Sequence, residues 1–153
     1  MIYQQSIFQK AVSNSVEDKS KDLEHIKTLV GQEPTWSIPD KITNRSEGTC
    51  GIGVYKIYHK DWIAEDVPLY IGQGNVSARK NRHASVFKNK GKILASGGDS
   101  HAAKKMYAYD TDINNWYFSF CIVGNKSVAG EYEDLLIKSQ EPEFNNPSMS
   151  GVN

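Results

Sequence analysis

Gly53-Val54-Tyr55 and Tyr70-Ile71-Gly72 decide how this chain is read. Each tripeptide places a glycine and a tyrosine in a short strand-like run, and a charged stretch with Trp62 separates them. Strand alternation puts Val54 and Ile71 on one face of a hairpin, with Tyr55 and Tyr70 on the other. Two phenols meet on one surface if the register pairs them. Cross-strand aromatic packing is the plainer use of such a pair.

Working outward, residues 51–58 alternate and are rich in Ile, Val and Tyr, which predicts a strand. Residues 59–66 read as an enlarged turn and residues 68–72 as the second strand. Gly72-Gln73-Gly74-Asn75 has turn composition. A helix is expected over 76–89. Gly91 and the Gly97-Gly98 pair break the chain, and Asp99 or Ser100 can cap a short helix to about Tyr109. Residues 116–123 (WYFSFCIV) are aromatic and apolar, a third and well-buried strand. Ser127 can cap a last helix over 128–140, whose apolar positions Val128, Tyr132, Leu135, Leu136 and Ile137 form a wide stripe. Pro142 ends it.

Upstream, Val16, Leu23, Ile26, Leu29 and Val30 recur at near-helical spacing, which predicts an amphipathic helix near 16–30. Its stripe needs a partner, either its own domain or a second copy of the chain. Residues 31–49, with Pro34, Pro39 and Gly48, read as an irregular connector. The expectation is an α+β fold: a small three-stranded antiparallel sheet flanked by helices, with an N-terminal helical extension. Residues 1–48 form the extension and connector, and residues 49–153 the main domain.

A chain of 153 residues with 39% hydrophobic content can bury a single-domain core. Formal net charge is +0, so bulk charge does not announce a polyanion partner. Its distribution is more telling. Between Arg79 and Lys105 the only acid is Asp99, and from Asp110 onward acids prevail. One basic face, or simply solvated helix faces, accounts for this. Cys50 and Cys121 have neither metal-ligand spacing nor a disulfide framework. No run has the length of a membrane span or the form of a signal peptide, so a soluble protein of a reducing cytoplasm is expected.

Arg79 and His83 stand at i and i+4 and share a helix face, with Arg82 beside them. A guanidinium binds phosphate through a fork of donors, and an imidazole can hold a water or a leaving oxygen. Glu133 lies at the edge of the last helix's apolar stripe, where a carboxylate needs a cation or hydrogen bonds. Magnesium needs only one or two protein carboxylates when waters and phosphate oxygens complete its shell. Asn145, just beyond Pro142, can tie down the tail or donate to a phosphate. Taken singly, each of these has a structural use: packing, a solvated helix face, a cap.

Their order and spacing are more specific. Gly53–Tyr55, Tyr70–Gly72, the Arg79-Lys80-Asn81-Arg82-His83 segment, the Glu133-Asp-Leu-Leu-Ile-Lys segment, Pro142 and Phe144-Asn145 together resemble the GIY-YIG nuclease family over roughly residues 51–146. The hairpin loop is longer than in many members, and the Gly72–Arg79 interval is one residue shorter than is common. No separate DNA-binding domain follows residue 146, which resembles the compact restriction-type or phage-type endonucleases.

The resemblance implies metal-dependent hydrolysis of DNA phosphodiesters at one active site built from Tyr55, Tyr70, Arg79, His83, Glu133 and Asn145. Glu133 would hold Mg2+ or Mn2+. Tyr55 would be a general base or relay, helped by nearby positive charge because a free phenol ionises near pH ~10. Arg79 would neutralise the phosphate. Arg82, Lys88, Lys90, Lys104 and Lys105 would contact the backbone of double-stranded DNA. The setting would be the cytoplasm of a bacterium, or of its host if a phage encodes the chain. A homodimer through the N-terminal helix would bring two sites to opposite strands. A non-catalytic nucleic-acid- or protein-binding module of the same fold, or an RNase or toxin-like nuclease, stays open beside this.

Overall fold

Gly53 through His59 are all buried, so their strand has neighbours on both edges and layers on both faces. The computed structural model describes residues 24–25, 27–31, 33–45, 48–90 and 100–145. Its elements run β1 (Asp40–Lys41), β2 (Ile52–His59), β3 (Tyr70–Asn75), α1 (Val76–Lys88), α2 (Ser100–Tyr109), β4 (Trp116–Ile122) and α3 (Lys126–Gln140). Short 3-10 turns lie at Ile113–Asn115 and Glu143–Asn145. The strands form one antiparallel sheet in the order β1-β4-β2-β3.

The α+β class matches the expectation, but the sheet has four strands, not three. The fourth comes from the connector that reads as irregular. Ser37 N–H donates to Phe120 O (2.8 Å) and Ile42 N–H to Trp116 O (2.9 Å), so this segment runs along β4. Ser119 Oγ donates to Ser37 O (2.6 Å), and Phe120 N–H donates to Ser37 Oγ (3.0 Å). Pro34 and Pro39 obscure the strand in the sequence. On an outer strand, however, a proline's missing N–H can fall on the unpaired side. The added strand makes β4 an interior strand.

The stretch 73–75, expected as a turn, stays in the sheet: Gln73 pairs with Val54 and Asn75 with Ile52. The helix then starts without a loop, because Asn75 ends the strand and caps the helix by accepting from Ala78 N–H (3.0 Å). Asn125, not Ser127, caps α3, since its carboxamide oxygen reaches both Ser127 N–H (2.8 Å) and Val128 N–H (3.1 Å). Glu141 adopts a left-handed conformation at the helix end, just before Pro142.

Two layers cover the sheet. Tyr55, Ile57, Trp116, Phe118 and Phe120 pack with Val76 of α1, Met106 of α2 and Phe144 of the tail. Val54, Ile71 and Cys121 pack on the other face with Ala129, Tyr132 and Leu136 of α3. Lys56 also points to this second face and sits 4.5 Å over the Trp36 ring, which lets a buried strand carry an ammonium. Of the predicted first helix, residues 24, 25 and 27–30 are helical; Val16, Leu23 and Ile26 lie outside the described residues. Val30 packs against the second core cluster, so this end of the stripe is used within the chain itself. Among the described residues no helix is long and apolar enough to cross a membrane.

One buried imidazole closes the end of β2. His59 is 2% exposed, and its Nε2 lies 2.7 Å from Asp110 Oδ2. Asp61 N–H donates to its Nδ1 (3.2 Å), so a neutral ring has its proton on Nε2 and donates it to Asp110. Burial pushes the Asp110 carboxyl up, but the hydrogen bonds from His59, Asp112 N–H and Asn115 outweigh it and hold the group below 3.8. A depressed carboxyl contributes stability above its unfolded value and loses it as pH falls through the folded one. Asp110→Asn is therefore expected to lower the melting temperature by about 5 °C at neutral pH. The gap to the wild type should close as pH falls below 3.8. A gap independent of pH in thermal melts would reject the ionic contribution.

Candidate active site

The motif glycines exist because other atoms occupy their side-chain space. A Cβ on Gly72 would lie 2.4 Å from Tyr55 Cζ and Oη. One on Gly53 would lie 2.2 Å from Cys121 O, in the adjoining strand β4. Tyr55 pairs with Gly72 and Ile57 with Tyr70, so the two tyrosines share a face but sit on a diagonal, not directly opposite. The ring of Tyr55 thus lies over the bare backbone of β3.

α1 brings His83 onto this ring. Tyr55 Oη and His83 Nε2 are 2.9 Å apart, and both residues have zero exposure. The half-buried Tyr70 completes the group, its ring centroid 6.2 Å from Tyr55 and 5.5 Å from His83. Phe118 stacks on Tyr55 from β4 at 5.1 Å, with an interplanar angle of 18°. The i, i+4 spacing carries Arg79 one turn back along α1, where its guanidinium lies against Gly74 of β3. Tyr55, Tyr70, His83 and Arg79 are therefore gathered on one face, at the outer strand β3.

Glu133 and Asn145 stand differently. Glu133 is half-buried on α3, the helix that covers the opposite face of the sheet and also packs on β3. Asn145 clamps the tail to the outer strand: Ile71 N–H donates to its Oδ1 (2.9 Å), and its Nδ2 donates to Ile71 O (2.8 Å). Phe144 N–H adds a bond to Leu69 O (2.8 Å). Of the two uses the sequence allowed, tying the tail is the one this geometry supports. Asn145→Ala should cost about 1–3 kcal/mol of stability, because it strips the partners from both the N–H and the C=O of the buried Ile71. Unchanged denaturant midpoints would remove the clamp.

The basic residues divide by exposure. Lys88, Lys90 and Lys104 are exposed, and Arg82 is half-buried. Lys105 donates to Phe144 O (3.2 Å); burial lowers its pKa, opposed by the Glu143 carboxylate. That contact makes it a brace between α2 and the tail. Besides Lys56, two more buried charged residues escaped the sequence reading. Glu143 is 2% exposed beside the Asn145 clamp. Lys80 is 6% exposed, donates to Asn44 O and stands 5.7 Å over the Phe118 ring. Burial lowers its pKa, and Asp40 opposes the shift. The spacing Val76, Lys80, His83 marks Lys80 as inward-facing, which was a usable signal.

Among the described residues no group of three or more His, Cys, Asp and Glu could hold a metal ion by itself. A single half-buried carboxylate fits a magnesium-type ion whose shell is completed by waters and substrate oxygens, and does not make an all-protein cage. Comparisons with protein-family models, with curated proteins and with solved structures returned no match.

Proposed function

We propose that the chain is a metal-dependent endonuclease of GIY-YIG type that hydrolyses phosphodiester bonds in double-stranded DNA. The observation that supports this most is the Tyr55–His83 hydrogen bond, with Tyr70 against both rings and Arg79 one helical turn away. These four side chains come from two strands and a helix, and they correspond to the family's ordered motifs.

Tyr70 is the phenol nearer to solvent, so it is the better placed to meet an attacking water. Tyr55 has no exposure and acts through His83, as a relay and a support for the imidazole. Arg79 neutralises charge developing on the phosphate. Glu133 would hold the metal ion, which supplies positive charge to the scissile phosphate when bound. Lys88, Lys90, Lys104 and Arg82 offer sequence-independent contacts to the DNA backbone. The solvent-facing lysines fit that role better than Lys105, whose ammonium is already engaged.

Incubation of the pure protein with supercoiled plasmid, with and without magnesium, tests the reading. Magnesium-dependent nicked or linear product supports it, and intact plasmid at high enzyme concentration rejects it. Tyr55→Phe keeps the ring and removes the hydroxyl. It should lower the single-turnover rate about tenfold or more while the protein stays folded, and a wild-type rate would remove the relay.

The complete burial of Tyr55 and His83 also favours a second reading. In it the aromatic cluster is core, and the chain binds nucleic acid without cutting it. DNA retardation with no cleavage in the same plasmid experiment would select that reading.

A further inference from the structure

We infer that Gly74 is a positioning residue for Arg79: its bare backbone is the seat on which the guanidinium rests, and this seat sets where the positive charge stands. The inference rests on the nuclease reading for its catalytic consequence, but the contact itself does not.

A Cβ built on Gly74 would meet Arg79 Nε at 2.8 Å, and Cζ and Nη2 at 3.4 Å each. The side chain reaches there because helix side chains tilt toward the helix N-terminus. Arg79 is in the first turn of α1, and the strand runs into that helix without a loop, through the Asn75 cap. Leaning back, the guanidinium crosses the strand end.

Register extends the seat. Gly74 pairs with Gly53, and Gly72 pairs with Tyr55. A Cβ at Gly72 points to the Tyr55 ring, while one at Gly74 points to Arg79. β3 therefore presents side-chain-free backbone under both the phenol cluster and the guanidinium. The resemblance to known motifs accounts for Gly72 but gives no reason for Gly74. Its φ of +133° is a second constraint, one that L side chains rarely adopt.

Strain and contact must be separated in the test. Gly124→Ala is a control for a positive-φ substitution away from the contact: its φ of +78° is milder than the +133° of Gly74, nothing lies within 4 Å of its Cβ position, and it sits in the turn between β4 and α3. The strain particular to Gly74 cancels in the cycle with Arg79→Ala. Gly74→Ala should lower the single-turnover rate at saturating plasmid by about a hundredfold, approaching Arg79→Ala, with the Kd for duplex changed less than about threefold. Gly74→Ala added to Arg79→Ala should reduce the rate less than about twofold further. Gly124→Ala should lower the melting temperature but leave the rate at the wild-type level. A folded Gly74→Ala protein with a wild-type rate overturns the positioning role.

A thermal-melt cycle reads the contact without any catalysis. Gly74→Ala should cost fewer degrees in the Arg79→Ala background than in the wild type, because the colliding guanidinium is gone. Equal losses in both backgrounds overturn the contact. If Gly74→Ala alone does not fold, a folded double variant supports the contact and an unfolded one overturns it. A wild-type protein that leaves plasmid intact would reject the nuclease reading while the melt cycle still decides the seat.

Discussion

Arg79→Ala is expected to lower the single-turnover cleavage rate by about two to three orders of magnitude, the scale for losing one preorganised donor to transition-state charge. The effect should fall on the chemical step. Arg79 stands one helical turn from His83, the ring that holds Tyr55 at 2.9 Å, so its removal takes positive charge from beside the phenol cluster. Arg82 is three residues on and half-buried, and the atoms nearest the Gly74 seat are those of Arg79. Arg82→Ala should weaken duplex binding, reduce its dependence on salt by about one counterion, and leave the saturated rate near the wild type. Single-turnover rates and salt titrations on the two variants decide between them. The opposite pattern would transfer the catalytic role to Arg82.

The second large effect is expected at Glu133. Glu133→Ala should abolish magnesium-dependent plasmid cleavage while duplex binding persists, because the exposed lysines on α1 and α2 stay in place. Circular dichroism must show the fold intact, since Tyr132 beside it is buried in the core under α3. Glu143→Ala is the informative companion. Its buried carboxylate acts on the half-buried Lys105, which also holds Phe144 O, so this variant should lose stability while metal-dependent cleavage by the folded protein persists. Full metal-dependent cleavage by a folded Glu133→Ala protein would end the assignment of the metal to that residue.

The readings that succeeded in the sequence rest on local periodicity. Alternation in β2 placed Tyr55 and Val54 on opposite faces, and they lie in opposite core clusters. The i, i+4 relation placed Arg79 and His83 on one helix face, and α1 runs through both. Helix ends were legible to within a few residues from Ser100, Ser127 and Pro142. The caps of α1 and α3, however, are Asn75 and Asn125, residues that read as turn composition until their carboxamides are seen to accept from the first helical N–H groups. Residues 37–42 were not legible, because their strand is made by pairing with β4, far along the chain. A two-proline segment has no periodicity of its own, and only an open sheet edge gives it a partner.

By itself, the sequence determined the chemical inventory and its order: two phenols in a hairpin, a guanidinium and an imidazole one helical turn apart, a late carboxylate and an amide after a proline. These depend on neighbours within a few positions, where backbone geometry is set by residue type. Only the tertiary structure decided how the inventory is used. It buried Tyr55 completely against His83 and left Tyr70 nearer to solvent. It engaged both ends of the Asn145 carboxamide on Ile71, and it turned Lys80 inward over Phe118. It also set Arg79 on Gly74. Each of these outcomes depends on strand register and on which layer covers which face. Register and layering come from burying apolar area between segments distant in sequence, and no single segment encodes that sum.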